Sequence, residues 1–230
     1  MKSVFALAGV AIAAAALLIT PAAAKTKSHK PKPAVCSLNI SPQKTGKLVS
    51  DATRTFYDFR SSIPDSVLKR AKAVIIVPSL VKVGFIIGGQ GGDAVLLRRN
   101  GKVWSYPAFY SLGSPSLGLQ AGISSAQVVL VIMTDRALAA VQQERFRLGT
   151  EAGLAILMAG GNAGATSYDG DIIGWARAAG AYVGLTINDS TLQQEPAMNA
   201  EYYDRAVPFD DVFMGRACNR DSDPLRTALR

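Results

Sequence analysis

The apolar pattern changes character along the chain, and each change predicts an element. Val4 to Ile19 is almost unbroken Ala, Leu, Val and Ile, with Lys2 ahead of it and Ala22-Ala23-Ala24 behind. A positive start, an apolar run and an Ala-x-Ala end read as a secretory signal, residues 1–24, cut before Lys25. An uncleaved membrane anchor is the competing reading of the same run. From Ser41 to Ser62 the pattern is helical. Leu48, Ala52, Phe56, Phe59 and Ile63 recur at steps of three and four, with Lys44, Lys47, Arg54 and Arg60 among them. Ile63-Pro64-Asp65 breaks this basic amphipathic helix and starts a short one with Val67, Leu68 and Ala71 inward. Ala73 to Val77 is continuous and β-branched, so it reads as a buried strand.

The next hundred residues are short β segments punctuated by glycine. Ala94 to Arg99 and Lys102 to Tyr106 flank Asn100-Gly101, a strong hairpin signal in which both turn residues are expected at positive φ. Leu117 to Ile123 and Val128 to Met133 read as a second pair across Ser124-Ser125. Thr134-Asp135 caps a helix over 136–143. Strands are expected over 146–158 and 172–187, and a last helix over 197–204. Strands seldom alternate with full-length helices, which disfavours a doubly wound parallel sheet. The expected fold is α+β: a single domain with a mainly antiparallel, curled or barrel-like sheet and a few peripheral helices. Its expected limits are 41–215, after a basic Pro/Lys-rich leader at 25–40 and before a C-terminal tail at 216–230.

Composition narrows the function. The net charge is +8, 49% of residues are hydrophobic and 18% are charged, so the chain is not a disordered charged tail. Lys25, Lys27, Lys30 and Lys32 hold much of the excess, in a run that Pro31 and Pro33 keep extended. The single histidine, His29, lies in that leader. The folded part therefore has no histidine for a Ser-His or Cys-His pair or a multi-histidine zinc site. Cys36 and Cys218 bracket the fold. In an oxidising compartment they are expected to pair, closing a loop of roughly 180 residues for about 5 kcal/mol at most; two free buried thiols are the alternative.

The remaining motifs are weak. Gly88-Gly89-Gln90-Gly91-Gly92 lacks the Lys-Ser or Lys-Thr of a phosphate loop, and reads as a bulge or tight loop. A Ser-Lys pair involving Ser105, Ser114 or Ser116 with Lys82 or Lys102 is the one hydrolase reading left. Asp169-Gly170-Asp171 and Asn219-x-Asp221-x-Asp223 lack the rest of a calcium loop, so Asx turns in solvent are expected. Asp210-Asp211 would point to opposite faces of a strand. Trp104, Tyr106, Phe109 and Tyr110 beside Arg98, Arg99 and Lys102 are either core packing below a solvated hairpin or an interfacial patch facing anionic lipid. Neither a cofactor nor nucleic acid is expected.

Several stretches together resemble the SYLF-domain family. Ile63-Pro64 to Val74 resembles its opening helix and strand, and Pro78 to Gly92 its Lys-x-Gly-Phe with paired glycines. Trp104 to Phe109, Ser116 to Gly122 and Phe146 to Gly149 resemble its Trp-Ser-x-Pro-x-Phe, Ser-x-Gly-x-Gln-x-Gly and Phe-x-Leu-Gly elements. The likeness runs from about residue 47 to 190. Departures are Gln127 for a usual Asp, Gly160-Gly161-Asn162 for a Gly-Pro element, and Trp175 to Gly180, where Ala179 replaces a lysine. The resemblance implies a non-enzymatic phospholipid-binding module. Eukaryotic relatives bind acidic lipids, some also actin, and bacterial relatives are exported. It implies a periplasmic or secreted, membrane-peripheral protein whose partner is anionic phospholipid; the alternative is an envelope structural or protein-interaction module. The expected lipid contacts are Lys44, Lys47, Arg54, Phe56, Phe59, Arg60, Lys82, Arg98, Arg99, Lys102 and Trp104. Phe56 and Phe59 would meet acyl chains and the cations headgroups; the rival is that the apolar stripe packs on the sheet.

Overall fold

The computed structural model describes residues 43–158, 170–179, 187 and 189–230. The signal, the basic leader, Cys36, Asp169 and Gly160-Gly161-Asn162 lie outside the described residues. The elements are α1 (Gln43–Phe59), α2 (Asp65–Arg70), β1 (Ala73–Asn100), β2 (Val103–Trp104), β3 (Ala108–Ile132), α3 (Asp135–Val141), β4 (Arg145–Arg147), β5 (Leu154–Met158), β6 (Ile172–Ala179), β7 (Thr191–Gln194), α4 (Pro196–Tyr203), α5 (Phe209–Phe213) and α6 (Asp223–Ala228), with a 3-10 turn at Arg220–Ser222 before α6. The seven strands form one sheet in the order β2-β1-β3-β6-β5, and β7 joins β3 to β4. All pairings are antiparallel except β5 with β6. The expected α+β class and curled, mainly antiparallel sheet are what the chain adopts.

The centre of the sheet is a long β1–β3 ribbon. Its register runs from Leu96↔Ala108 to Ala73↔Ile132, with irregularities between Val77 and Leu80 and between Gly84 and Ile86. The ribbon doubles back. The Arg99 amide donates to Lys72 O at 2.8 Å, so the two ends of β1 lie side by side. Near the bend, a Cβ on Gly92 would stand 2.2 Å from Ser79 O, so only glycine lets the returning strand pass this close. The glycine-rich stretch is thus a crossing within one continuous strand. The expected turn at Ser124-Ser125 is also absent. Those serines lie inside β3, opposite Lys82 and Val81. Two small polar residues interrupt the apolar run without breaking the backbone ladder.

The Asn100-Gly101 signal marks a real hairpin, displaced by one residue. Asn100 pairs with Val103, so Gly101 and Lys102 form the turn. Gly101 has φ +62°, and neither Asn100 nor Lys102 has a positive φ. Glycine first in a two-residue turn is the type II′ pattern. Thr134 caps α3 as expected, accepting from the Ala137 amide at 3.2 Å. Residues 146–158 contain the end of β4 and all of β5, in keeping with the strands expected there.

The segment 216–230 is folded, not a tail. Leu225 and Leu229 are buried, and Trp104 Nε1 donates to Leu229 O at 2.8 Å. The core unites Phe56 and Phe59 of α1, Ala73–Val77 of β1, Phe109 and Tyr110 of β3, and Phe213 of α5. The stretch 73–77 is buried at every residue, as its unalternating apolar sequence requires of a strand covered on both faces.

Candidate functional site

Helix α1 is amphipathic, but its apolar stripe faces the protein. Val49, Ala52, Phe56 and Phe59 are buried and packed with the core. Arg177 closes over this contact: its guanidinium lies 4.9 Å from the Phe59 ring centre and donates to Asp58 O at 3.0 Å. Phe56 and Phe59 therefore cannot meet acyl chains in this fold. The sheet offers them a dry partner, and the sequence spacing serves either environment equally well.

The cations of α1 are also engaged. Lys47 and Arg54 both pair with Asp51, Arg60 pairs with Asp65, and Lys44 lies 3.7 Å from Asp93. The Arg60 guanidinium beside Asp65 holds that carboxyl below its ordinary value. Each of these cations thus lies against a carboxylate, Lys47 and Arg54 sharing Asp51, with Tyr57 exposed among them. Lys82 lies on β1 opposite Ser124.

The other expected cluster lies at the β1–β2 hairpin. Trp104 is buried, not interfacial. Arg99 covers it, with the guanidinium 4.4 Å from the ring centre. Arg99 also donates to Leu68 O at 2.7 Å, at the end of α2. This contact brings Lys69 and Arg70 to the same end of the sheet as Arg98, Arg99 and the turn residue Lys102. None of these five cations forms a salt bridge among the described residues, and Lys69, Arg70 and Lys102 are exposed. Burial pulls Arg99 below the ordinary guanidinium value, though an arginine stays charged at neutral pH. Lys69 and Arg70 were absent from the expected set. Their signal was available in the sequence: two consecutive cations at the end of a short helix, one strand away from Arg98-Arg99.

The C-terminal segment adjoins this hairpin. Arg226 donates through Nε to Trp104 O at 3.1 Å and stacks 4.0 Å from the Tyr106 ring centre. A groove of about 400 Å³ opens between Tyr106 and α6, lined also by Arg220, Asp223, Thr227 and Arg230.

Of the serine candidates, Ser105 is held by the backbone. Ser105 Oγ accepts from the Arg98 amide at 2.9 Å and donates to Tyr106 O at 2.8 Å, which commits the hydroxyl to backbone. Ser114 and Ser116 pair with Gln90 and Gly88, whereas Lys82 pairs with Ser124. Asp171 binds protein groups: Thr134 Oγ1 at 2.8 Å, the Gly153 amide at 3.0 Å and Arg136. Asn219 makes the expected Asx turn to the Asp221 amide at 3.0 Å, but it is buried and also donates to Tyr202 O. Asp210 and Asp211 lie in α5 rather than on a strand, and Asp211 pairs with Arg216. Among the described residues no cluster of three His, Cys, Asp or Glu could hold a metal, and no helix is long and apolar enough to cross a membrane.

Comparison with known proteins gives the relationship. The chain is similar to the SH3 domain-containing YSC84-like protein 1 of Bos taurus, 26% identical over 160 residues, 66% of this chain and 46% of that protein. It is similar to the LAS seventeen-binding protein 3 of Saccharomyces cerevisiae, 24% identical over 191 residues, 78% of this chain and 41% of the relative. Protein YSC84 of the same species is 23% identical over 205 residues, 84% of this chain and 43% of the relative. The chain thus spans less than half the length of these relatives. No solved structure matches it. Residues 113–230, from near the start of β3 through α6, match the family model Ysc84, described as a Las17-binding protein actin regulator. The chain belongs to the Ysc84 (SYLF-domain) family.

Proposed function

We propose that this protein is a non-enzymatic, exported adhesion module that binds anionic phospholipid at the surface of the cell envelope. One observation carries the reading. Lys69, Arg70, Arg98, Arg99 and Lys102 share one end of the sheet and form no salt bridge among the described residues, with Asp65 near Lys69 alone, whereas each cation of α1 and Arg60 just after it lies against a carboxylate. Each cation near an anionic surface contributes about 1 kcal/mol, so the three exposed ones contribute about 3 kcal/mol. The basic rim thus replaces the amphipathic helix as the lipid-facing surface. Envelope location follows from the signal-like start of the sequence, and amino-terminal sequencing of the purified protein is expected to begin at Lys25.

Vesicle flotation tests the reading. Phosphatidylcholine vesicles with one-third phosphatidylglycerol should carry the protein at low salt, and pure phosphatidylcholine vesicles should not. Replacing Lys69, Arg70 and Lys102 together by glutamine should weaken binding about 100-fold, while Lys47→Gln with Arg54→Gln should change it little. A folded protein that ignores anionic vesicles at low salt would reject the reading.

Protein contact is the second reading, favoured by Val81 and Val83. Both are exposed, at 37% and 52%, and stand two residues apart on one face of β1. Recovery of one envelope protein in lipid-free conditions, lost on Val83→Ser, would favour it. The actin-related names of the relatives describe those proteins, and an exported protein would not meet cytoplasmic actin.

A further inference from the structure

We propose that the groove between Tyr106 and α6 is a binding site for a phosphate group. The argument begins with Arg226. Its guanidinium is fixed by three contacts: Nε to Trp104 O at 3.1 Å, Nη1 to Asp223 Oδ1 at 2.8 Å, and the Tyr106 ring 4.0 Å away. An arginine has five N–H donors in a rigid plane. These bonds use two, so three stay available on a group that is already oriented. Ordering a long side chain is normally a cost of binding, and here the fold has met it in advance.

The surroundings favour an anion. Three guanidinium side chains, of Arg220, Arg226 and Arg230, and one carboxylate side chain, of Asp223, line the groove. Asp223 lies 3.7 Å from Arg220 Nε, and the terminal nitrogens of Arg220 make no hydrogen bond to a side chain or backbone group among the described residues. The Arg220 side chain is 59% exposed, and exposed Thr227 adds a hydroxyl donor at the rim. Paired arginine forks with a hydroxyl suit the tetrahedral oxygens of phosphate better than a planar carboxylate alone, because several acceptors are satisfied at once. The volume of about 400 Å³ accommodates a phosphate with part of the group that carries it. Tyr106, between β2 and β3, supports one side, and α6 supports the other.

A phosphate here could belong to a lipid headgroup or to a soluble phosphomonoester. As a headgroup site the groove rests on the membrane-adhesion reading; as a phosphate site it does not. The experiment separates the two. The oxidised full-length protein is titrated with glycerol 3-phosphate, and the arginine Nε–H resonances of Arg220 and Arg226 are followed by NMR. In parallel it is floated with phosphatidylcholine vesicles containing phosphatidic acid. Two variants are compared, Arg220→Gln, which removes a solvent-facing donor, and Arg226→Lys, which keeps the charge but loses the planar fork. Circular dichroism confirms that each is folded.

Saturable shifts of both resonances, with affinity at least tenfold weaker in Arg220→Gln, are the expected result. If vesicle binding falls in the same variant, the phosphate source is lipid. If vesicle binding is absent while glycerol 3-phosphate still binds, the site stands with a soluble ligand and the membrane reading fails. If vesicles bind but neither variant weakens them, and glycerol 3-phosphate moves neither resonance, the phosphate site is overturned and the membrane reading survives on the basic rim alone. Absence of both kinds of binding overturns both.

Discussion

Replacing Phe59 by alanine separates a core helix from a lipid-inserting one. Phe59 has no exposed surface, and its ring lies under the Arg177 guanidinium at 4.9 Å. Truncating a fully buried phenylalanine removes its transfer free energy and leaves a cavity, at a cost of about 3–5 kcal/mol. Loss of the stacked guanidinium contact falls within that range. With a urea dependence of about 2 kcal/mol per molar, the unfolding midpoint should drop by about 1.5–2.5 M. Tyr57, two residues away and 57% exposed, is the control, and Tyr57→Ala should change stability by no more than about 0.5 kcal/mol. Equilibrium urea unfolding followed by tryptophan fluorescence gives both numbers. Should Phe59→Ala lose less than about 1 kcal/mol while abolishing vesicle flotation, the ring is a membrane anchor and the packing argument is wrong.

Three further outcomes follow from other sites. Gly92→Ala should cost several-fold more stability than Gly91→Ala, because the added Cβ meets Ser79 O at 2.2 Å in the first case and Leu112 O at 3.6 Å in the second; equal losses by thermal denaturation would contradict the crossing. Hydrogen bonds from Thr134 and the Gly153 amide, with Arg136 nearby, hold the Asp171 carboxyl below its ordinary value. A depressed carboxyl contributes stability that is complete above its unfolded value near about pH 4 and fades as pH falls through the folded value, so melting temperature should fall less steeply with acid in Asp171→Asn than in the wild type. Under non-reducing conditions the protein should lack two thiol hydrogens by intact mass, reporting Cys36–Cys218 pairing; a mass matching two free thiols would end that expectation.

The stripe Ala52-Phe56-Phe59 was legible in the sequence because three- and four-residue spacing is a local property. Its orientation was not, because a sheet and a bilayer present the same apolar surface to a helix. Thr134 and Gly101 were legible for the same local reason: a cap and a tight turn depend on single residues. Ser124-Ser125 misled because polarity suggested a turn, whereas the ladder to Lys82 and Val81 keeps the backbone extended. Helices α5 and α6 have five and six residues, too few for a periodic signal. They stand on tertiary bonds such as Trp104 Nε1 to Leu229 O, between residues far apart in the chain. The basic rim was half visible. Arg98, Arg99 and Lys102 are close in sequence, but Lys69 and Arg70 join them through tertiary bonds, Arg99 to Leu68 O and to Lys72 O.

The doubled β1–β3 ribbon bears on how such a sheet can be assembled. Its pairings spread outward from Leu96↔Ala108, where the connecting chain is short, to Ala73↔Ile132, where it is long. Each new rung closes only a small additional loop once the previous rung exists, so the entropy of distant contacts is met in small instalments. The middle of the sheet can therefore grow like a zip from one seed, and its most remote pairs form last without a long search.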